Sequence, residues 1–222
     1  MNSKTTDHKK IGGDIEKFII DDNHPCLMAQ SVILNNSYKM LILENSSLRE
    51  VHKLYKFLEE HVAKEKRPAN SFYSTIAVFP NNNVSNSLEF EDFLWNILYK
   101  LNSMDTYDWD PSVSKHLNDN NYSFSIVGRA FYIVGMHPNS SRKARQMPYA
   151  TLVFNLHSQF EKLREMGAYN QVRNRIRNRD IKLQGTINPM LKDFGQESEA
   201  KQYSGRKVEK NWECPYFKDE IK

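Results

Sequence analysis

The sequence predicts a single domain of the α+β (or α/β) class, with a mixed β-sheet of about five strands and flanking helices. Three observations lead there. Short runs rich in aromatic and β-branched residues alternate with longer segments of helical period. No internal repeat and no Pro- or Gly-rich linker divides the chain into apolar halves. And 222 residues, 39% of them hydrophobic, can bury a core without staples, since a domain above about 150 residues hides roughly 70% of its unfolded surface. Residues 1–13 read as a mobile N-terminal tail and 14–222 as the one domain.

The elements follow in order. Asp14–Ile20 and Cys26–Leu34 read as short helices separated by His24-Pro25, because proline turns its preceding residue away from helical conformation. Tyr38–Glu44 is short and apolar, a strand. Ser47–Lys64 opens with Ser47 and Glu50 spaced as a capping box and places Leu48, Val51, Leu54, Tyr55 and Leu58 on one helical face. Phe72–Phe79 is a buried strand by composition, and Leu88–Leu101 returns to helical spacing. Tyr122–Val127 and Ala130–Met136 flank Gly128-Arg129 as a hairpin, with glycine accepting positive φ. Tyr149–Leu156 is a fifth strand, followed by a helix at Ser158–Met166, where Ser158 and Glu161 repeat the capping-box spacing, and a basic helix near Asn170–Lys182. From Thr186 the chain is polar with little period.

Composition narrows the function. The 31 Lys and Arg against 27 Asp and Glu leave a formal charge of +4, and a pI near 8.9 is borderline for a surface that tracks a phosphate backbone. Arg173, Arg175, Arg177 and Arg179 alternate by two, so on a helix only Arg173 with Arg177, and Arg175 with Arg179, share a face. That favours a solvated helix, or one face contributing cations to a site, and no nucleic acid partner is expected. With 12 Phe, 11 Tyr and 3 Trp the chain is not a disordered one, and a mean hydropathy of −0.70 argues against a membrane span. Met1–Lys10 lacks the apolar stretch of a secretory signal, so a cytoplasmic location is expected, with Cys26 and Cys214 as thiols. Phosphate loops of the GxxxxGK[ST] or GxGxxG type and the HExxH zinc motif do not occur.

The most unusual local composition is His137-Pro138-Asn139-Ser140-Ser141-Arg142-Lys143-Ala144-Arg145. A histidine leaving a buried strand, then two arginines three apart, suits a site needing one nitrogen ligand and cations for an anionic cofactor. The competing reading has His137 capping the strand and the arginines solvated. His157 ends the fifth strand in a similar setting, and His24 beside Cys26, with Cys214, offers a thiol–imidazole pairing across the termini.

The series His24-Pro25-Cys26, Phe79-Pro80, Phe90–Trp95, Phe131–Pro138, Ser141–Arg145, Val153-Phe154-Asn155, Ile176–Asp180, Asn188–Leu191, Gln202-Tyr203 and Trp212–Phe217 resembles the YqcI/YcgG family in order and spacing over nearly the whole chain. The resemblance implies a heme-dependent oxygenase, like the guanitoxin-pathway and arginine N-hydroxylases, that hydroxylates a guanidino or amino nitrogen with O₂. It implies heme b (iron protoporphyrin), with His137 as axial ligand and His157, Cys26 or Cys214 as alternatives, and with Arg142 and Arg145 as propionate partners. A cationic substrate would want a carboxylate, for which Glu91 and Asp92 stand nearest by motif. Relatives carry an aromatic-Pro-Cys-Pro-Phe string where this chain has His24-Pro25-Cys26-Leu27-Met28, which implies a different substrate if that string lines the pocket. A chain of this length leaves no room for a fused reductase, so a separate electron donor is expected. The alternative is a non-catalytic heme- or small-ligand-binding or stress-related protein of the same fold.

Overall fold

In the computed structural model, which describes residues 3–63 and 72–216, the strand-like runs assemble into one five-stranded sheet. The strands are β1 (Tyr38–Ile42), β2 (Ser74–Phe79), β3 (Phe124–Ile126), β4 (Arg129–Met136) and β5 (Ala150–Leu156), in the order β1-β2-β5-β4-β3. β1 and β2 run parallel with Met40 opposite Ile76, and the other pairs are antiparallel, with Val153 opposite both Ile76 and Val134. A parallel pair needs a crossover, and helix α3 (Leu48–Leu58) lies in that connection, extended by a π-helical turn at Glu59–Ala63. All six β2 residues are buried, as expected of a strand paired on both edges and covered on both faces. The mixed sheet with helices around it is the α+β architecture that the sequence predicts.

The remaining helices are α1 (Ser3–Glu16), α2 (Leu27–Leu34), α4 (Ser87–Met104), α5 (His157–Glu165) and α6 (Tyr169–Gln184). Strand residues alternate between faces, so the sheet supports two cores. On one face Phe131, Ile133 and Phe154 pack with Val51, Leu54 and Leu58 of α3 and Phe90, Leu94 and Trp95 of α4. On the other, Ile76, Val78 and Met136 pack with Ile11 and Ile15 of α1 and Ile33 of α2. Each such side chain contributes about 1.5–3 kcal/mol on full burial. α4 starts where Asn86 Oδ1 accepts the backbone N–H groups of Leu88 and Glu89, both at 3.0 Å, a side-chain N-cap.

Several boundaries differ from expectation for local physical reasons. The ordered domain starts before Asp14: Ile11 is buried, and Lys10 Nζ donates to Tyr149 Oη at 3.0 Å. Ser47 caps α3 without a side-chain bond, and Glu50 instead accepts the Glu44 N–H at 3.2 Å, while Asn45 Oδ1 takes the Ser47 N–H at 2.9 Å. Leu48 is exposed although Val51, Leu54, Tyr55 and Leu58 are buried; Lys64 lies outside the described residues, as does Phe217. The hairpin turns one residue earlier than predicted, at Val127 and Gly128 with φ of 51° and 70°, the two-positive-φ geometry of a tight hairpin. β5 runs directly into α5, with Leu156 at the N-cap, so Ser158 and Glu161 form no capping box. The polar C-terminal stretch packs: Tyr203 is fully buried, and its carbonyl accepts the Gly135 N–H at 2.8 Å while its hydroxyl accepts the Phe124 N–H at 2.9 Å.

Candidate functional site

The sheet face that carries α1 and α2 encloses a cavity of about 270 Å³, walled by aliphatic side chains such as Ile15, Ile19, Ile76, Val134, Met136 and Val153. Apolar walls with a few convergent polar groups are the usual make-up of a small-molecule site. Among its polar lining residues, which include His24, Arg142, Arg145 and Asp180, Cys26 is the one that carries a thiol. Pro25 ends the preceding turn, and the turn is held from two sides. His24 Nε2 lies 2.8 Å from the Ala144 carbonyl and Nδ1 accepts the Cys26 N–H at 3.1 Å, which places the ring proton on Nε2. From α6, Arg179 donates to the carbonyls of Pro25 at 3.2 Å and His24 at 2.9 Å and to Asn23 Oδ1 at 2.7 Å.

Cys26 is the N-cap residue of α2, beside the first-turn N–H groups of Met28 and Ala29, although its sulfur makes no capping hydrogen bond. Burial pushes the thiol's pKa up; those two N–H groups and the charges of Arg145 and Arg179 act in the opposite direction. Any soft metal ion that displaced the thiol proton would therefore meet a sulfur at a helix N-terminus with two cations near it.

A second cavity of about 170 Å³ adjoins the first and shares Met28, Tyr132, Phe160, Ile176, Arg177 and Leu191 with it. Its polar lining includes His157 and Glu199. Glu199 Oε2 accepts the Ser123 hydroxyl at 2.8 Å, and Oε1 stands 4.0 Å from His157 Nε2. Burial pushes the Glu199 carboxyl up to about 8, against the Ser123 hydrogen bond and the Arg164 charge, and burial lowers the His157 pKa. Among the described residues no group of three or more His, Cys, Asp or Glu side chains converges as around a metal ion held by protein ligands alone, and no helix is long and apolar enough to cross a membrane.

The residues singled out in the sequence fall in different places. His137 is fully buried on the α4 face, stacked on Phe90 with ring centroids 4.4 Å apart, and it does not line either cavity. It neither caps the strand with its side chain nor reaches the cavity: both ring nitrogens are without a hydrogen-bond partner. Arg142 and Arg145 line the first cavity but are buried rather than solvated, and their guanidinium groups are engaged. Arg142 Nη2 pairs with Asp180 Oδ2 at 2.5 Å, and Arg145 Nη1 donates to the carbonyls of Gly135 at 2.8 Å and Tyr203 at 3.2 Å. Both serve as braces. Glu91 is held by Ser204 at 3.0 Å and by Arg206 at 2.7 Å on the α4 face, and Asp92 is exposed. Cys214 is buried in the α4-side core and forms no disulfide; it lies across the sheet from Cys26, so the expected thiol–imidazole pairing across the termini does not form. Of the helical arginines, Arg173 and Arg177 pair with Asp193 and Arg179 holds the Cys26 turn, leaving no continuous basic strip.

Sequence reasoning missed Glu199 as a site-forming residue and reached Arg179 only as part of a helix face that could lend cations to a site. Glu199 lies in a stretch without period, where nothing signals burial. For Arg179 a cue existed, since it belongs to the Ile176–Asp180 string and faces the same side as Arg175 by spacing, but the target of its donors, four backbone and side-chain oxygens of residues 23–25, is set by tertiary contact.

Comparison with known proteins matches residues 15–217 to the family model described as the YqcI/YcgG family. The uncharacterized protein YqcI of Bacillus subtilis (strain 168) is 24% identical over 224 residues, a span covering 95% of this chain and 85% of that relative. No solved structure matches. With the match running from α1 through the Cys26 turn, the sheet and the Glu199 segment, the chain belongs to the YqcI/YcgG family.

Proposed function

We propose that this protein is a heme-dependent oxygenase that N-hydroxylates a guanidino or amino nitrogen with O₂, and that Cys26 is the axial ligand. One observation carries the assignment of the ligand: of His137, His157, Cys26 and Cys214, Cys26 is the one that lines the larger apolar cavity. The surroundings suit a thiolate ligand, with the N-terminus of α2 at the sulfur and the charges of Arg145 and Arg179 favouring its ionised form. Aliphatic walls suit a porphyrin face. A macrocycle would need more room than about 270 Å³, and Met28, flexible and on the wall shared with the second cavity, is a side chain whose movement would join the two spaces. Arg142 and Arg145 are engaged by buried internal partners, whereas Arg177, half-buried on both cavities and paired with Asp193 at 3.2 Å, is the cation that would meet a propionate by exchanging that partner.

Heme, when bound, supplies the reduction and cleavage of O₂, with electrons from a separate donor. The protein's own part is to hold the ligand sulfur, to exclude water with the Ile and Val walls, and to fix the substrate nitrogen from the second cavity. The test is the absorption spectrum of protein expressed with heme precursor. A reduced, CO-bound sample is expected to show the red-shifted Soret band of thiolate ligation, and Cys26→Ala is expected to lose it. Protein that stays colourless with added hemin, or a Cys26→Ala spectrum identical to wild type, overturns the reading.

A further inference from the structure

His157 Nε2 stands between two carboxyl groups of opposite setting. Glu199 Oε1 lies 4.0 Å away on a side chain 6% exposed, and Glu161 Oε1 lies 3.8 Å away on a side chain 43% exposed. The imidazole is itself buried, and its Nε2 has no hydrogen-bond partner. His157 and Glu199 both line the second cavity. Three ionisable groups thus follow one another from solvent to the cavity, across gaps that a small side-chain rotation or one bridging water closes.

A count of hydrogens says that the inner end of this series carries a proton. The Ser123 hydroxyl has one hydrogen and stands 2.8 Å from Glu199 Oε2 and 3.0 Å from the Phe131 carbonyl oxygen. With the carboxyl ionised, that hydrogen turns to Glu199 and the carbonyl loses it. With the carboxyl protonated, Glu199 donates to Ser123 and Ser123 donates to Phe131, so all three oxygens are served. The charges around the group agree. Facing Glu199 are His157, Glu161 and Arg164 of α5, Tyr122 and Ser123 ahead of β3, Tyr132 of β4 and Tyr203 of its own segment. Among the described residues no Lys or Arg is within ion-pair reach of Glu199, and the one cation of that set, Arg164, pairs with Glu161. Burial therefore prevails and raises the carboxyl, while it lowers His157, which Asp110 also faces, and keeps the imidazole neutral at pH 7. In the tautomer protonated at Nδ1, Nε2 is a free acceptor.

We propose that Glu161, His157 and Glu199 form a proton path from solvent to the second cavity, with Glu199 the proton donor at its inner end. Glu199 gives its proton to an acceptor in the cavity. The carboxylate so formed draws a proton onto His157 Nε2 from water at the Glu161 carboxylate, and the imidazolium passes it to Glu199 and returns to its neutral form. One cycle moves one proton inward and leaves all three groups as they began. Turning an N–H into an N–OH with O₂ consumes two electrons, from the separate donor, and two protons, and releases one water; two cycles of the path supply those protons where apolar walls exclude water. The polar groups of the first cavity are committed elsewhere, His24 to the Ala144 carbonyl and the Cys26 N–H, Arg142 and Asp180 to each other, and Arg145 to the Gly135 and Tyr203 carbonyls. The use of the protons on O₂ rests on the oxygenase reading; the path itself does not.

The experiment is infrared spectroscopy of the purified full chain. At pH 7 the wild type is expected to show the C=O stretch of a protonated, buried carboxylic acid, which Glu199→Gln removes and which fades as pH rises through about 8. On rapid dilution into deuterium oxide that band shifts as the acid proton exchanges. His157→Phe is expected to keep the band and slow its exchange about ten-fold or more, and Glu161→Gln, at the exposed end where water can substitute, to slow it about two- to five-fold. In heme-loaded protein reduced with dithionite and mixed with O₂, Glu199→Gln is expected to slow the return of the oxidised spectrum about ten-fold or more and to abolish its solvent deuterium isotope effect. No carboxylic acid band at pH 7, a band untouched by Glu199→Gln, or unchanged exchange in a His157→Phe variant that is folded by circular dichroism overturns the proposal. Where His157→Phe does not fold, unchanged exchange in Glu161→Gln, a surface substitution, overturns it. Colourless protein with the band and the His157-dependent exchange removes the oxygenase reading and leaves the path standing; a thiolate-ligated heme protein whose reoxidation is indifferent to Glu199→Gln removes Glu199 as the donor and leaves the oxygenase reading.

Discussion

Arg142 Nη2 sits 2.5 Å from Asp180 Oδ2, and the two side chains are each about 8% exposed. The pair joins the loop after β4 to the end of α6, and Arg142 reaches further to the Thr186 carbonyl at 2.6 Å and hydroxyl at 3.0 Å. Removing one member of a buried pair strands the other's charge, which costs about 3–5 kcal/mol, whereas replacing both by apolar residues costs much less. Asp180→Ala is therefore expected to lower the urea midpoint sharply at pH 7. Arg142→Met combined with Asp180→Leu is expected to recover most of the loss, and equal midpoints for the single and double variants would refute the account.

Gly135 lies where β4 meets α4. A Cβ there would stand 2.6 Å from Leu94 and Phe90 side-chain carbons and 2.8 Å from the Tyr203 carbonyl. The side chains can shift, but the carbonyl is tied to the Gly135 N–H. Gly135→Ala is expected to destabilise by about 1–3 kcal/mol through overpacking, read as a lower Tm with near-native far-ultraviolet circular dichroism. A Tm unchanged or raised would mean that α4 does not press on β4 as closely as described.

His137 makes its own pH signature. Burial first, and the Arg145 charge second, push its pKa down to about 4 from an ordinary 6.5. A histidine with a depressed folded-state value contributes no loss above pH 6.5; below it the unfolded chain takes up the proton more readily, so stability falls as pH drops from about 6.5 toward 4. For one group the slope is roughly 1.4 kcal/mol per pH unit. His24 and His157 are lowered too, so the difference between wild type and His137→Phe isolates the effect. The variant is expected to lose less stability than wild type between pH 6.5 and 4.5 and, if Cys26 is the ligand, to keep its heme spectrum. Parallel pH curves would sink the assignment of a neutral buried imidazole.

The contrast between His137 and Cys26 shows where sequence stops being informative. All five strands are legible because each carries its own burial pattern and turn residues, and α3 and α4 because period 3.6 marks one face, whereas most of α1 lies in the polar stretch read as a tail. What the pattern does not decide is which of two covered faces holds the cavity. Alternation along β4 puts Met136 on the cavity side and His137, one residue on, on the α4 side with Phe131 and Ile133, and the composition of the segment looks site-like on both. Arg142 and Arg145 mislead for a related reason. Their partners are the carbonyls of Gly135, Thr186, Gln202 and Tyr203 and the Asp180 carboxylate, supplied by distant segments. Cys26 was legible as a candidate only, since its cavity is built by α1, α2, the sheet and α6 together.

The charge around Cys26 yields a prediction that needs no cofactor. Arg145 and Arg179 both favour the thiolate, and both are fixed, Arg145 by the carbonyls of Gly135 and Tyr203 and Arg179 by the turn it clamps. Replacing Arg145 by Met removes a cation while keeping a long apolar stem, so the Cys26 pKa rises further. In a Cys214→Ser background, where Cys26 is the one remaining cysteine, the rate of alkylation by iodoacetamide against pH is expected to shift to higher pH in Arg145→Met. Arg145→Lys keeps the charge but cannot match three carbonyl contacts at once, so it is expected to shift the profile less while costing stability. An unshifted profile in Arg145→Met, with the fold intact, would show that the buried guanidinium braces β4 without acting on the thiol.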